Sequence, residues 1–312
     1  MAKKAPGRAH RKGITLLELA EMFPDESAAR DWFERILWPT GDRPCPRCGS
    51  VNTHEASHAK MPYRCRDCRK YFSVKTGTVM EGSPIPLRKW VYAIYLDVTT
   101  LKGVSSMKLH RDLGVTQKTA WFMQQRIREA FAGANDLPPM NGPVEADETY
   151  IGGKEHNKHE RDRLHAGRGA VGKVAVAGVK DRVTRRVSAA VVARTDGPTL
   201  KGFVRSRIAQ EADVYTDEHG AYRGLPNHET VAHSVGEYVN GKAHTNGIES
   251  FWSMLKRGYY GTYHRMSPKH LGRYVAEFAG RHNIRDYDTL AQMAIVASAM
   301  VGRRLTYADL TA

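Results

Sequence analysis

The four cysteines of this 312-residue chain all lie between positions 45 and 68, and their spacing restricts the fold more than any other feature. They form two Cys-x-x-Cys pairs with sixteen residues between them, Cys45 with Cys48 and Cys65 with Cys68. This spacing predicts a zinc ribbon in which four thiolates hold one Zn²⁺ ion tetrahedrally. Because four sulfurs close the coordination shell, the predicted zinc is structural. His54 and His58, between the pairs, are then not needed as ligands.

Two disulfides are the alternative use of these cysteines. Disulfides persist in oxidising compartments, but no apolar stretch of a secretory signal follows the basic residues 1–8. No run of about 18 apolar residues predicts a membrane-spanning helix either. The sequence therefore favours zinc and a cytoplasmic location.

The chain is strongly basic, with 48 Lys and Arg against 33 Asp and Glu and a formal net charge of +15. A field of this sign favours polyanions such as nucleic acid or an anionic membrane. Since no membrane span is predicted, we expect nucleic acid as the partner and association with the nucleoid.

Three predicted segments precede a linker at residues 133–142, which is rich in glycine and proline. Residues 1–41 combine a basic arm, residues 1–13, with two short helices, the first opened by the Thr15 capping box and the second capped by Asp25 or Ser27. Residues 42–82 are the ribbon with its short strands. Residues 83–135 show helical periodicity.

Two of these segments carry candidate DNA contacts. Basic and aromatic residues alternate in the ribbon, which suits either a DNA surface or packing of a small module: Tyr63, Arg64, Arg66, Arg69, Lys70, Tyr71 and Phe72. Residues 105–122 have a helix-turn-helix pattern, with a Gly114 turn and a Thr116 cap. The second helix is predicted to run to about residue 131 and to present Gln117, Lys118, Gln124, Gln125 and Arg126 outward. A purely structural helix pair is the alternative.

Residues 143–286 predict an α/β domain. Strands are expected at 144–150, 173–179, 186–192 and 212–216, with a helix at 199–210 and further helices at 246–257 and 271–282. The order indicates an antiparallel hairpin beside a parallel pair of strands. A last apolar helix at 287–301, within a C-terminal segment 287–312, suits a core or a dimer contact.

The first strand of this domain contains three acids. Alternation puts Glu145 and Asp147 on one face and Glu148 on the other. Taken alone, this pattern suits a solvated edge strand. Spacing by itself does not choose between Glu145 and Asp147 as a site residue.

Two further acids give the strand a chemical meaning. Asp217 follows the strand 212–216, and Glu249 shares the polar stripe of the helix 246–257 with Lys256. Phosphodiester chemistry uses such a set of carboxylates, because two divalent cations must bridge the scissile phosphate. Hard oxygen ligands suit Mg²⁺. The sequence therefore predicts a carboxylate site for two magnesium ions.

A second phosphate motif is rejected. Residues 167–173 match the first seven positions of a Walker loop, but Val174 stands where a Ser or Thr hydroxyl is needed. The surrounding residues, 156–173, are read as a basic loop that either closes on a phosphate backbone or is simply solvated.

The chain resembles the ISXO2-like insertion-sequence transposases of the IS1595 group. The resemblance is carried by the ribbon, VEADETYIGG at 144–153, YTDEHGAY at 215–222 and HTNGIESFWSMLKRGYYGTYHRMSPKHL at 244–271. It implies a ribonuclease-H-like catalytic domain with a DDE triad of Asp147, Asp217 and Glu249, followed by a basic residue at Lys256. It also selects Asp147 over Glu145, which becomes a neighbour of the ligand on the same face.

The resemblance implies a reaction and its partners. Water attacks a phosphodiester at the element's end in line, and the free 3′-hydroxyl then attacks target DNA. The partners are double-stranded DNA, as terminal inverted repeats and target, and further copies of the chain, since two ends must meet. Tyr259, Tyr260 and Tyr263 are not expected to act as nucleophiles. Two alternatives stay open: an inactive DNA-binding regulator and a structure-specific nuclease of the same fold.

Overall fold

The structure is a computed structural model that describes residues 13–133, 138–164, 170–230 and 244–312. It divides into two compact units, residues 1–133 with 284–312 and residues 134–283. Several sequence expectations fall on residues outside these ranges. They concern nearly all of the basic arm, the middle of the linker at 134–137, and residues 165–169 of the basic loop.

The first unit is built mainly from helices. Their bounds are α1 Leu16–Met22, α2 Glu26–Leu37, α3 Leu87–Thr99, α4 Ser106–Leu113, α5 Gln117–Ala132, α9 Thr289–Ser298 and α10 Tyr307–Thr311. The predicted caps are confirmed, because Thr15 forms a capping box and Asp25 accepts from the Ala28 amide. Apolar side chains of α1, α2, α3, α5 and α9 share one core. The apolar face of α9 therefore belongs to this core, since Met293 of α9 and Met300, two residues past its end, are fully buried.

The ribbon lies in the same unit and has three short antiparallel strands, β1 Thr53–Glu55, β2 Tyr63–Cys65 and β3 Tyr71–Phe72. One face packs inward, where Tyr63 and Phe72 meet Trp38 edge-on. On the other face His54, Arg64 and Tyr71 follow one another across the strands. The aromatic and basic residues are thus shared between packing and surface.

The helix-turn-helix shape is present, and Gln117 and Lys118 are exposed as predicted, but the rest of the predicted outer face is wrong. Gly114 takes the left-handed turn and Thr116 caps α5, as expected. Gln124, Gln125 and Arg126, however, are buried. The Arg126 guanidinium donates to the carbonyl oxygens of Leu305 and Glu81 at 3.1 and 3.2 Å. Past its first turn, α5 is a core helix, because the C-terminal segment covers the polar face that the sequence predicted to be exposed.

The second unit contains a five-stranded sheet. Its strands are β4 Val144–Ile151, β5 Val174–Asp181, β6 Val187–Val191, β7 Val214–Thr216 and β8 His228–Thr230. Their order is β6-β5-β4-β7-β8, with β4, β5 and β6 antiparallel and β7 and β8 parallel to β4. The predicted hairpin beside a parallel pair is confirmed, while β8 is an additional strand that the sequence reading missed.

Helices cover both faces of this sheet. Leu200, Phe203 and Val204 of α6, Gly197–Arg205, pack against Val144 and Ala146. The other face is covered by α7, Asn246–Gly258, and α8, Pro268–Asn283. The predicted stripe of α7 is confirmed, since its members are buried: Ile248, Phe251, Trp252 and Leu255.

Two helix ends differ from expectation. The helix predicted over 199–210 ends at Arg205, and Ile208 forms a bridge with Met140 instead. The helix predicted over 246–257 ends at Gly258, but the chain continues directly into a π-helical turn, Tyr259–Tyr263, that ends at the left-handed His264. Within the described ranges, a helix with the length and apolarity needed to cross a membrane is not found.

Candidate functional site

The central strand β4 places Asp147 in the middle of the sheet. Asp147 pairs with Gly178 of β5 on one side. On the other side the parallel register sets Glu145 beside Tyr215 of β7. Continuing that register by two residues brings Asp217, which directly follows β7, level with Asp147. The topology thus explains why two acids that lie 70 positions apart in the chain converge.

The pKa of Asp147 is raised in part because Asp217 lies close to it. The pKa of Asp147 is raised to about 7, first by burial and then by the nearby carboxylates of Asp217 and Glu148. Two donors oppose the shift, the Glu148 amide at 2.8 Å from Oδ1 and the Trp252 indole at 3.0 Å from Oδ2. The net result is a group of acids without enough donors to balance their charge, which is the environment that a cation stabilises.

Trp252 reaches Asp147 because β5 leaves room for its ring. A Cβ atom on Gly178 would lie 2.6 Å from Cη2 of Trp252. Gly178 is the β5 residue paired with Asp147. The sequence pattern placed Trp252 in the apolar stripe but did not reveal its polar contact. A buried indole N–H nearly always needs an acceptor, and that requirement is the signal that was missed.

Glu148 lies on the opposite face of β4, as the alternation predicts. Its Oε2 accepts a 2.8 Å hydrogen bond from the Tyr222 hydroxyl, and its Oε1 lies 3.7 Å from Nδ1 of His219. Both residues belong to the segment that follows Asp217, whose Oδ1 accepts from the His219 amide at 3.1 Å. Burial raises the pKa of Glu148. Glu148 therefore ties the Asp217 segment to β4.

Glu249 and Lys256 lie on the exposed face of α7, two turns apart, as the helical spacing predicts. The Thr245 hydroxyl donates to Oε1 of Glu249 at 2.9 Å. Asp147, Asp217 and Glu249 do not bring their oxygens within 4.8 Å of one another. Among the described residues, the four cysteines alone bring three or more possible ligand atoms within this distance of one another. The structure thus brings Asp147 and Asp217 together and leaves Glu249 on the neighbouring helix.

The four cysteines form a site for structural zinc. Their sulfurs lie within 4.8 Å of one another, with 3.6 Å from Cys45 to Cys68 and from Cys48 to Cys65. Tetrahedral zinc with bonds of about 2.3 Å requires sulfur separations of roughly 3.8 Å. A disulfide bond is about 2.05 Å long, so the disulfide alternative is wrong. Backbone amides of Cys68 and Asp67 lower the pKa of the Cys65 thiol to about 7, which favours the thiolate.

Comparison with known proteins gives matches over both parts of the chain. The model of the ISXO2-like transposase domain matches residues 139–283, and that of the transposase zinc-ribbon domain matches residues 24–71. A Halobacterium salinarum protein, described as an uncharacterized protein in transposable element ISH50, is 30% identical over 277 residues. That alignment covers 84% of this chain and 92% of the relative. No solved structure matches the chain.

Proposed function

Because the chain belongs to the ISXO2-like transposase family of insertion sequences, we propose that it cuts DNA at its element's ends. It then joins the resulting 3′-hydroxyls to target DNA. The observation that carries the proposal is the convergence of Asp147 and Asp217 at adjacent parallel strands, where burial and mutual repulsion raise the pKa of Asp147 to about 7. Such a pair is poorly balanced by protein donors and suits divalent cations.

The catalytic domain is proposed to have the ribonuclease-H-like fold. The support is the strand order, in which the first strand is central, the next two extend the sheet antiparallel on one side, and the last two lie parallel on the other. The placement of α6 on one face and α7 and α8 on the other agrees with it.

Asp147, Asp217 and Glu249 are the proposed ligands of two Mg²⁺ ions. Two ions in such sites lie about 3.5–4 Å apart, and each binds its oxygens at about 2.1 Å, so ligands of different ions need not meet within 4.8 Å. When bound, the ions supply charge neutralisation at the attacking and leaving oxygens of the phosphodiester.

The residues of the chain have distinct proposed roles around these ligands. Trp252 orients the Asp147 carboxylate through its indole N–H. Glu148, held by Tyr222, keeps the segment after Asp217 against β4. Lys256, exposed in the last turn of α7, contacts a DNA phosphate near the cut. The DNA itself is attracted by the excess of basic residues, and synapsis of two ends requires a dimer or a larger assembly.

A cleavage assay tests the proposal. Purified protein is incubated with Mg²⁺ and a plasmid that carries the inverted repeats flanking its own gene. We expect nicks at the element ends that expose 3′-hydroxyls, and we expect Asp147→Asn and Asp217→Asn to abolish them. Asp213→Asn is the matched control, because Asp213 is an exposed acid that precedes β7.

Two other outcomes identify the alternatives. Sequence-specific binding without any Mg²⁺-dependent nicking would indicate a regulator derived from a transposase. Cutting of branched DNA with no preference for the element ends would indicate a structure-specific nuclease. Either result contradicts the proposed transposition.

A further inference from the structure

We propose that Glu145, two residues before Asp147 on β4, is a positioning residue that sets the place of Glu249 by holding the start of α7. This inference rests on the proposed function, because it assumes that Glu249 acts with Asp147. Glu145 is itself no ligand in this scheme. It lies on the same face of β4 as Asp147 and is 2% exposed.

The start of α7 lacks a cap from its own segment. The first amides of a helix have no partner inside the helix and need an outside acceptor. Thr245 occupies the N-cap position but makes no capping hydrogen bond with its side chain. Its hydroxyl donates to Glu249 instead. The Ile248 amide donates to Oε2 of Glu145 at 2.8 Å, so a carboxylate from the strand does the capping.

Glu145 is fixed from its other side as well. Its Oε1 lies 3.0 Å from Nε of Arg182 and 3.2 Å from Nδ1 of His244. Arg182 also donates to the His244 carbonyl oxygen and lies over the Tyr215 ring at 4.0 Å. The buried charge of Glu145 is therefore compensated, and its carboxylate has little freedom to move away from α7.

The helix approaches β4 and β5 so closely at this point that a side chain at position 247 would displace the Glu145 carboxylate. A Cβ atom on Gly247 would lie 2.6 Å from Oε2 of Glu145 and 3.1 Å from Nζ of Lys180. Lys180 donates to the Gly247 carbonyl oxygen at 2.9 Å. The first turn of α7 is thus held by charged groups from two strands.

Two ties then fix Glu249. The first joins Ile248 to Glu145, and the second joins Trp252 to Asp147. Four helical residues span about 6 Å and two strand residues span about 6.8 Å, so both ties form when α7 runs alongside β4. Glu249 lies between the tied residues. Its distance to Asp147 is therefore set by Glu145 as much as by the helix itself.

Two variants test this role in the full-length protein. Glu145→Gln keeps the shape but sets its NH2 group against either Arg182 or the Ile248 amide, both of which are donors. Gly247→Ala puts a methyl group against the carboxylate. Alanine is the better helix former, so a purely local view expects Gly247→Ala to be harmless. We expect both variants to nick element-end DNA 10–100-fold more slowly and to need about tenfold more Mg²⁺ for half-maximal rate. We also expect faster amide hydrogen exchange confined to residues 246–250.

Glu277→Gln is the matched control. Glu277 is fully buried, accepts from the Tyr263 hydroxyl at 3.1 Å and lies 3.6 Å from Arg281, away from the start of α7. We expect its Mg²⁺ dependence to equal that of the wild type. Wild-type Mg²⁺ dependence in both test variants overturns the positioning role. Unchanged amide hydrogen exchange at the start of α7 in both variants also overturns the positioning role, and this measurement does not depend on nicking. A wild-type protein that fails to nick DNA refutes only the proposed function.

Discussion

The indole Nε1 of Trp252 donates a 3.0 Å hydrogen bond to Oδ2 of Asp147, joining the apolar stripe of α7 to the centre of the sheet. The bond opposes the burial and the neighbouring charges that raise the pKa of this carboxyl. One side chain thereby packs the α7 face of the sheet and tunes a proposed metal ligand.

Replacing Trp252 with phenylalanine separates these two roles. Trp252→Phe keeps an aromatic ring in the stripe but removes the donor, so the pKa of Asp147 rises. We expect nicking at pH 7 to fall about tenfold and the acid limb of the rate profile to move to higher pH. Phe251→Leu, which changes the neighbouring buried ring, serves as the control. A pH profile that stays in place in Trp252→Phe would contradict the tuning role.

The raised pKa of Asp147 also predicts a stability effect in metal-free protein. The folded carboxyl has a pKa near 7 instead of 3.8, so the folded state holds a proton that the unfolded state releases between these values. Stability should therefore fall as the pH rises from about 4 to about 7. Asp147→Asn removes this loss. We expect it to raise the unfolding free energy by about 2–4 kcal/mol at pH 8, with little change at pH 3.5.

In the presence of Mg²⁺ we expect the wild type to be more stable than Asp147→Asn, the reverse of the order in metal-free protein. Mg²⁺ binding to the folded state is expected to stabilise the wild type, whereas Asp147→Asn lacks a proposed ligand. Thermal unfolding with and without Mg²⁺ measures both effects. A metal-free Asp147→Asn variant that is less stable than wild type at pH 8 would show that the acids around Asp147 do not repel it as described.

Periodicity in the sequence was enough to predict the strands and helices that carry the acids. Alternation correctly separated Glu145 and Asp147 from Glu148, and the i, i+3, i+4 pattern gave the stripe of α7. These patterns predict burial correctly because the periodicity of a single helix or strand determines which of its side chains face the core. The cysteine spacing worked for the same reason, since a tetrahedral ion fixes the geometry of its ligands locally.

Contacts between segments that are far apart in the chain could not be predicted from these local patterns. The outward orientation predicted for Arg126 of α5 was wrong because Leu305, nearly 180 positions away, supplies its acceptor. The Glu145 carboxylate was recognised as a neighbour of Asp147, but its bond to the Ile248 amide depends on how α7 docks on the sheet. The strand β8, which the sequence did not predict, pairs with β7 over three residues that carry no strong alternation.

Zinc removal should affect the ribbon through its packing. We expect about one zinc per chain, and we expect Cys65→Ser to lower the zinc content sharply. Because Trp38 packs edge-on against Tyr63 and Phe72, chelation should change the near-ultraviolet circular dichroism. His54→Ala is the control, since four sulfurs already complete the site. Loss of zinc from His54→Ala would contradict the four-thiolate assignment.

Gly178 is expected to tolerate no side chain. In Gly178→Ala the added methyl group would meet the Trp252 ring at 2.6 Å and Cδ1 of Ile248 at 3.1 Å, so α7 must move away from β5. We expect a loss of about 1–3 kcal/mol in unfolding free energy together with reduced nicking. Gly202→Ala in α6 has open space around it and should stabilise the protein by about 0.5–1 kcal/mol. Equal stability of the two variants would contradict the close approach.

Two arginines distinguish a DNA surface from a core. Arg64 lies 5.1 Å from the ring of the exposed Tyr71 on the outer face of the ribbon, whereas Arg126 is 7% exposed and bonded to two carbonyl oxygens. We expect Arg64→Ala to weaken DNA binding several-fold and to reduce the slope of log affinity against log salt concentration by about one unit, with stability nearly unchanged.

Arg126→Ala should instead cost about 2–4 kcal/mol of stability, because it leaves both carbonyl oxygens without their buried donor. Fluorescence anisotropy over a range of salt concentrations, beside thermal unfolding, measures the pair. If Arg126→Ala folds with wild-type stability and loses DNA affinity, α5 contacts DNA after all and the buried assignment of its outer face is wrong.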